Sequence, residues 1–500
     1  PGAAGAASTP AASAGDAAGA AGPAIVDTPA HAVVAVPAAP RPPLGPRRPP
    51  GDGPRRRPVA DGPADASRVV RLAGPTRFDA WQRRRDPADV AAAAARIAAD
   101  LDAVAAVVAA GGGRLVSRYD SALAGGLVHL PPGDAPRLER RLRAMPGVVA
   151  VDRAPLATVA VHPTNAGPAA PDVIARRNAA AADALPAGHG TTIAVLDTGV
   201  DYTHAAFGGP GTILAYAAAA LAPTRVDDVW DGRPLFPTAR VVRGVDVAGE
   251  RYLPGCTAAA EARGLCRRTP EPDPDPLDSH GHGTHVAGIA AGDATPHVPA
   301  GVAPGANLVA VKVFGAGAQT DLLLDGLEWT LEANLAAAMD GAPRAIDVVN
   351  LSLGIAYGAK VLVEAGAIAR LTASGAVVVA AAGNDGNLPF IVGAPAIAPD
   401  ALAVASHVPP GQHSWELWLA RPGEPTPEIL DRRTVYHQPW SPDPGADVEA
   451  PVARVGRGCP AGGAQPADPF AADPSGALGL FYESWGEGGE GCTATTQAQR

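Results

Sequence analysis

The distribution of apolar and polar positions divides the chain into three stretches. Residues 1–67 are rich in Pro, Ala and Gly and carry too little apolar surface to offset chain entropy, so we expect a disordered leader. Residues 68–151 alternate short strand patterns with helical patterns in the order βαββαβ. From residue 191, apolar runs typical of fully buried strands alternate with helices, which predicts an α/β fold with a mostly parallel, doubly wound sheet.

The smaller pattern predicts a split-βαβ, ferredoxin-like α+β module. Its predicted strands cover 68–72, 114–119, 126–130 and 148–151, and its predicted helices cover 87–110 and 134–144. In the larger pattern the predicted strands cover 191–196, 241–247, 307–314, 347–354, 376–384 and 402–405. The predicted helices cover about 321–339 and a segment that ends at Ala373. Asp197 follows the first of these strands. It is therefore either a turn former or an acid at the carboxyl end of a strand, where open α/β sheets build their sites.

Three histidines, His280, His282 and His285, lie at the predicted start of a tightly packed helix. Their spacing is compatible with zinc ligation. It is also compatible with a general base, because a pKa near neutrality suits histidine to accept a proton from a nucleophile. A third interpretation is a polar surface turn without chemistry.

Charge and composition narrow the class of protein. The net charge of −10 and the lack of a basic face argue against a nucleic-acid partner. The sequence has no run of about 18 apolar residues, so we expect no membrane span. The chain begins at Pro1, without Met or a signal-peptide pattern, so we expect the N-terminus to be incomplete. We expect a monomer.

Five segments together resemble the subtilases, the subtilisin-like serine proteases. They are Asp197-Thr198-Gly199, the run from His282 to Gly288, the run from Gly301 to Ala306, the run from Asn350 to Gly354, and Ala381-Ala382-Gly383-Asn384. The resemblance implies that His282 is the general base, Asp197 orients it, and the Asn384 amide stabilises the oxyanion. His280 and His285 then have no required catalytic role, and no cofactor is needed.

The same resemblance implies where a substrate binds. Ser352, Leu353 and Gly354 would form one side of the primary specificity pocket and pair with an extended peptide. Ala381, Ala382 and Gly383 would form the other side. Protein or peptide substrates are therefore expected.

One family segment is missing. Subtilases carry their nucleophile in a Gly-Thr-Ser segment after the Asn motif, and the 500 residues contain none. We name no serine nucleophile and expect this chain to be inactive. Residues Pro451–Val455, Gly458–Pro460, Ser475–Phe481 and Gly491–Thr493 resemble the first half of a protease-associated (PA) domain, so we expect the chain to end inside such an insertion.

Within the smaller module, Tyr119–Leu123, Leu127–Leu130 and Met145–Asp152 resemble the inhibitory (I9-type) propeptide of secreted subtilases. The expected division is a leader (1–67), a propeptide that inhibits its own protease (68–162), a junction (163–190), an incomplete catalytic domain (191–408) and a partial PA domain (409–500). Secretion or a cell-surface location follows from the resemblance.

Four cysteines fit this layout. We favour the disulfides Cys256–Cys266 and Cys459–Cys492 among three pairings, with free thiols as the alternative. The acidic run Glu271–Asp275, with Asp278, could bind calcium or be a solvated loop.

The sequence thus favours a serine endopeptidase with an Asp-His-Ser triad, made as a self-inhibited precursor. Two alternatives stay open. One is a catalytically inactive subtilase-like protein that binds peptides, and the other is a metal-dependent hydrolase that uses His280, His282 and His285.

Overall fold

The computed structural model describes residues 30–35, 67–159, 187–221, 226, 229–296, 298, 300–358, 363–384, 389–406, 414–421, 428–436, 450–456 and 478–481. The chain divides into two compact units. One comprises Pro1–Pro46 and Gly411–Arg500, and the other comprises Arg47–Pro410.

The larger unit begins with a small α+β module, called here the N-terminal module, within residues 67–159. Its strands are β2 (Ser67–Leu72), β3 (Arg114–Tyr119), β4 (Gly125–His129) and β5 (Val148–Arg153), and its helices are α1 (Arg77–Arg84), α2 (Pro87–Ala110) and α3 (Ala135–Arg143). The strands pair antiparallel in the order β3-β4-β2-β5. The four predicted strands and both predicted helices are confirmed.

Helix α1 was not predicted. A capping box starts it, because the Thr76 side chain accepts from the Asp79 N–H and the Asp79 carboxylate accepts from the Thr76 N–H, both at 3.1 Å. Phe78 and Trp81 are buried, but the many polar residues of this short helix conceal the apolar period.

Six parallel strands form the main sheet. They are β7 (Thr192–Asp197), β10 (Val241–Asp246), β11 (Asn307–Lys312), β13 (Val348–Leu351), β15 (Val377–Ala381) and β16 (Ala401–Val404), in the order β10-β11-β7-β13-β15-β16. Every neighbouring pair is parallel, as predicted. The carboxyl ends of all six strands therefore lie at one edge.

Helices cover both faces of this sheet. They are α4 (Ile213–Ala220), α6 (His282–Ala291), α7 (Leu323–Met339) and α8 (Val363–Ala373), while the short α5 (Ala258–Ala262) lies in a surface insertion. Alternate β7 residues point to opposite faces. Leu196 packs in the core with α7 and α8, and Val195 packs in the core with α4 and α6. The result is an α/β architecture, with helices on both faces of a parallel sheet.

The segment 347–354, predicted as one strand, forms two. After Leu351 the chain leaves the main sheet, and β14 (Leu353–Gly354) pairs antiparallel with β6 (Ala157–Val159), whose other neighbour is β12 (Gln319–Thr320). The apolar pattern is continuous across Ser352, so only the long-range pairing reveals the change of sheet. A two-stranded ladder, β8 (Val229–Trp230) with β9 (Arg233–Pro234), lies elsewhere in this unit.

The smaller unit contains a five-stranded sheet with the order β18-β17-β1-β19-β20. Its strands are β1 (Ala30–Ala35), β17 (Ser414–Arg421), β18 (Glu428–Tyr436), β19 (Ala450–Gly456) and β20 (Leu478–Phe481). The prediction of a wholly disordered leader is therefore wrong at Ala30–Ala35. This segment pairs with β17 and β19, so its partners lie some 380 or more residues away and leave no local signal.

Apart from Ser67, which begins strand β2, the rest of the leader lies outside the described residues, as does almost all of the predicted junction. The assignment of 409–500 to a PA domain stays a prediction. Across the described parts of the chain, no helix combines the length and apolar character needed to cross a membrane.

Candidate active site

Asp197 ends strand β7 and is fully buried. Its Oδ1 accepts a hydrogen bond from the backbone N–H of Thr198 at 2.7 Å and lies 2.5 Å from Nδ1 of His282. Burial raises the pKa of this carboxyl, and the hydrogen bond and charge of His282 oppose that rise. An ionised Asp197 therefore depends on a proton at Nδ1 of His282.

His282 is the first residue of helix α6, as the sequence predicted. The preceding residue, Gly281, adopts a φ of 96°, a left-handed conformation that glycine tolerates. Because Nδ1 is directed at Asp197, the other ring nitrogen, Nε2, is the one left to exchange a proton with a reactant. This Nε2 is buried and has no hydrogen-bond partner among the described residues. A neutral His282 that donates from Nδ1 has a lone pair at Nε2 and can accept a proton there.

A glycine lets the helix approach the strand this closely. A Cβ on Gly283 would lie 2.1 Å from the carbonyl oxygen of Gly199 and 3.1 Å from Cβ of Asp197. The Gly283 N–H donates to the Thr198 hydroxyl at 2.9 Å. The first turn of helix α6 and the segment after strand β7 are therefore in direct contact.

Asp278, considered from sequence only as a calcium ligand, organises the start of helix α6. Its Oδ1 accepts from the Thr198 hydroxyl at 2.9 Å and from the N–H groups of His280 and Gly281 at 2.8 and 2.9 Å. Its Oδ2 accepts from the N–H and the hydroxyl of Thr284 at 2.9 and 2.6 Å. Asp278 is a positioning residue that the sequence reasoning missed. Its place four residues before His282, at a helix N-terminus, was the available signal.

The predicted substrate-binding residues follow strands β13 and β15 at the same edge of the sheet as Asp197. Gly354, from one predicted side, and Ala381 and Gly383, from the other, line a cavity of about 150 Å³, together with Leu353 and Asn384. Ser352 and Ala382 do not line this cavity. Ser352 accepts from the Asn350 side chain at 2.9 Å, and the Ala382 N–H donates to the Val404 carbonyl at 2.8 Å.

Asn384 is exposed and lines one wall of this cavity. Thr158 and Val159 of strand β6 also line it, as do Ile355, Ala356 and Gly393. The sequence analysis did not assign these five residues to the site. Strand β6 is more than 190 residues from β14, so no local pattern could have predicted the pairing.

The three histidines do not converge on one point. His280 and His285 are exposed, and the rings of His280 and His282 are 6.4 Å apart. Among the described residues, only Asp120, Glu328 and Glu332 form a group of three His, Cys, Asp or Glu side chains with ligand atoms within 4.8 Å of one another. Arg77 pairs with Asp120 and Glu332 at 3.2 and 2.9 Å and balances part of that charge.

The insertion before the histidines contains the disulfide Cys256–Cys266, with a Cα–Cα distance of 6.0 Å. Cys459 and Cys492 lie outside the described residues. In the run Glu271–Asp275, burial raises the pKa of Asp273 to about 6 and that of Asp275 to about 7. Asp275 accepts from the Tyr202 hydroxyl at 3.0 Å. Calcium binding by this run stays a prediction.

Comparison with known proteins gives a match to the subtilase family, Peptidase S8, over residues 188–415. Subtilisin DY of Bacillus licheniformis is 43% identical over 114 residues, which are 22% of this chain and 36% of that protein. Alkaline protease 1 of Emericella nidulans is 37% identical over 131 residues, or 26% of this chain and 29% of that protein. Minor extracellular protease Epr of Bacillus subtilis is 37% identical over 112 residues, which are 22% of this chain and 15% of that protein.

The chain thus spans well under half the length of these relatives. Among solved structures, fervidolysin of Fervidobacterium pennivorans aligns over 78% of this chain and 47% of its own, with 18% identity and a TM-score of 0.39. The matched range includes Asp197, His282, Gly354 and Asn384. Residues 188–415 therefore match the subtilase family.

Proposed function

We propose that this chain belongs to a serine endopeptidase that hydrolyses peptide bonds in proteins through an Asp-His-Ser triad. The observation that carries the proposal is the 2.5 Å contact between Nδ1 of His282 and Oδ1 of the buried Asp197. This contact fixes the ring so that Nε2 is the nitrogen left for proton transfer.

In the proposed mechanism, Nε2 of His282 removes the proton of a serine hydroxyl as that oxygen attacks the peptide carbonyl. The imidazolium then returns the proton to the leaving amine, while Asp197 stabilises the positive charge. The Asn384 amide donates to the oxyanion of the tetrahedral intermediate. The serine would come from a Gly-Thr-Ser segment, which the 500 residues do not contain.

The substrate would bind as an extended strand along Leu353–Gly354. In the structure this edge pairs antiparallel with Ala157–Val159 of the same chain, and the Thr158 hydroxyl donates to the Gly354 carbonyl at 3.2 Å. This pairing supports the idea that the N-terminal module is an intramolecular inhibitor. We propose a secreted, monomeric precursor without a required cofactor.

A proton NMR experiment on the 500-residue chain tests the Asp-His pair. The Nδ1 proton of His282 should resonate downfield of the amide region, because it is shared with a buried carboxylate. Asp197→Asn should remove this resonance. Asp201→Asn is the matched control, since Asp201 lies in the same loop but accepts from Thr203. A resonance that is absent, or that survives Asp197→Asn, would leave the triad without support.

A fluorophosphonate probe tests the missing nucleophile. The 500-residue chain should not be labelled, whereas a chain that continues through a Gly-Thr-Ser segment should be labelled in a His282-dependent manner. Labelling of the 500-residue chain at any serine would contradict the proposed division of the triad.

A second candidate is an inactive subtilase-like protein that binds peptides along Leu353–Gly354, the edge that pairs with Ala157–Val159 in this structure. The coding sequence beyond Arg500 separates the two: a Gly-Thr-Ser segment supports the peptidase, and a stop codon supports the binder. The metal-dependent alternative has no comparable support, because Nδ1 of His282 is engaged by Asp197 and the other two histidines are exposed.

A further inference from the structure

A second cavity, of about 360 Å³, lies between the N-terminal module and the disulfide-closed insertion. The module contributes Arg114 of strand β3 and His129 of strand β4, and the insertion contributes Cys256, Ala258 and Arg268. Among the residues that the structure describes, none lines both this cavity and the one beside Asn384. Its volume is in the range of small-ligand sites.

Arg114 is the unusual residue of this cavity. Its Nη2 donates to the Arg268 carbonyl and to Nδ1 of His129, the latter at 3.0 Å. Its Nε is buried and has no acceptor among the described residues. No carboxylate of the described chain lies within 4 Å of the guanidinium. Arg114 is therefore a partly buried cation whose hydrogen bonds go only to uncharged acceptors.

The neighbouring acids are already engaged. Glu261 accepts from the N–H and from Nε of Arg268 at 3.0 and 2.6 Å. Asp321 accepts from the Ser67 and Tyr252 hydroxyls at 2.8 and 2.6 Å and lies 3.1 Å from Nε2 of His129. Burial, and after it the charge of Arg268, lower the pKa of Arg114. The local electrostatics thus favour an added negative charge beside Arg114.

We propose that this cavity binds a small oxyanion, a carboxylate or a phosphate, with Arg114 as its main ligand and Arg268 as a second cation. A planar guanidinium in the cavity wall, without a carboxylate partner among the described residues, suits such an anion. A bound anion would contact both the module and the insertion, so it should stabilise their association.

Calorimetric titration of the 500-residue chain tests the site, with inorganic phosphate and citrate as separate probes at constant ionic strength. At least one of the two anions should bind saturably and raise the melting temperature of the chain. Binding of phosphate would identify a phosphate site, and binding of citrate would identify a carboxylate site. Arg114→Gln should weaken binding about tenfold or more, because it removes a charge-assisted hydrogen bond. Arg118→Gln is the matched control on strand β3, since Arg118 is exposed and pairs with Asp102. The Arg118→Gln variant should bind the anion with the affinity of the unmodified chain.

A second variant covers the case in which Arg114→Gln does not fold. Ala258→Glu places a tethered carboxylate at the cavity wall and should abolish the response to the added anion. Ala259→Glu is its control, because Ala259 is exposed on the same helix and does not line the cavity. If neither anion binds, or if both Arg114→Gln and Ala258→Glu bind as the unmodified chain does, the proposal is wrong.

Discussion

Asp197 and Asp278 are both buried, but they have different roles because they accept hydrogen bonds from different donors. Asp278 is surrounded by two hydroxyls and three backbone N–H groups of its own chain. Asp197 has one titratable hydrogen-bond partner, His282, besides the backbone N–H of Thr198. The first carboxylate holds main chain in place, and the second can respond to a change of charge on the imidazole.

Glu364 is a buried carboxyl whose burial is offset only in part, by a hydrogen bond to its own backbone. Its Oε2 is buried and has no hydrogen-bond partner among the described residues, and burial raises its pKa to about 7. Between its ordinary pKa of 4.5 and about 7, the folded state binds a proton that the unfolded state has released. The free energy of unfolding therefore falls as the pH rises through this window.

Glu364→Gln should remove this pH dependence. The variant should match the unmodified chain near the lower end of the window and be more stable above about pH 8, by roughly 3 kcal/mol at most. Urea unfolding at several pH values measures the difference. Asp400→Asn, at an exposed position, should change little at any pH. An equal offset at all pH values would mean that the pKa of Glu364 is the same in the folded and unfolded states.

Helix α6 and strand β7 are the elements that create the candidate site. The helix contributes His282, and the strand contributes Asp197 at its carboxyl end. Neither element alone positions the pair, because the distance between Nδ1 and Oδ1 depends on how closely the helix start approaches the residues after the strand. Gly283 sets that approach, since the Gly199 carbonyl occupies the space of a Cβ.

Two glycines of helix α6 should therefore respond differently to alanine. Gly283→Ala should destabilise the fold by several kcal/mol and remove the His282 Nδ1 resonance, because the added carbon collides with main chain. Gly288→Ala meets only Phe207 Cζ at 4.0 Å. It should be neutral or stabilising by about 0.5–1 kcal/mol, because alanine is the better helix former. Thermal unfolding and the NMR signal measure both, and equal effects would show that the close approach does not matter.

The larger unit has a core that continues from the N-terminal module into the main sheet. Phe78 and Trp81 of helix α1 belong to the same buried cluster as Leu196 of strand β7 and Leu327 of helix α7. Polar contacts add to this packing. The Glu328 carboxylate accepts from the N–H groups of Asp120, Ser121 and Ala122 at 2.6–2.7 Å, and Arg370 pairs with Asp79 at 2.9 Å. We therefore expect the module and the main sheet to unfold together.

Phe78→Ala tests this shared core. It should lower the stability of the main calorimetric transition by about 3–5 kcal/mol, because a buried aromatic side chain is lost from a continuous cluster. Val149→Ala, at a position that is 61% exposed, is the control. A separate, earlier transition for the variant, with the main transition unmoved, would show that the module melts on its own.

The sequence by itself determined the elements and the principal pair. Buried β-branched runs and helical periods predicted the main sheet, and the resemblance to the subtilases implied that Asp197 pairs with His282. These features depend on local patterns of a few residues. The tertiary structure alone decided three others: the pairing of Ala157–Val159 with Leu353–Gly354, the five hydrogen bonds of Asp278, and the unpaired charge of Arg114. Each depends on which donors and acceptors come together from distant parts of the chain, and hydrophobic periodicity carries no information about that choice.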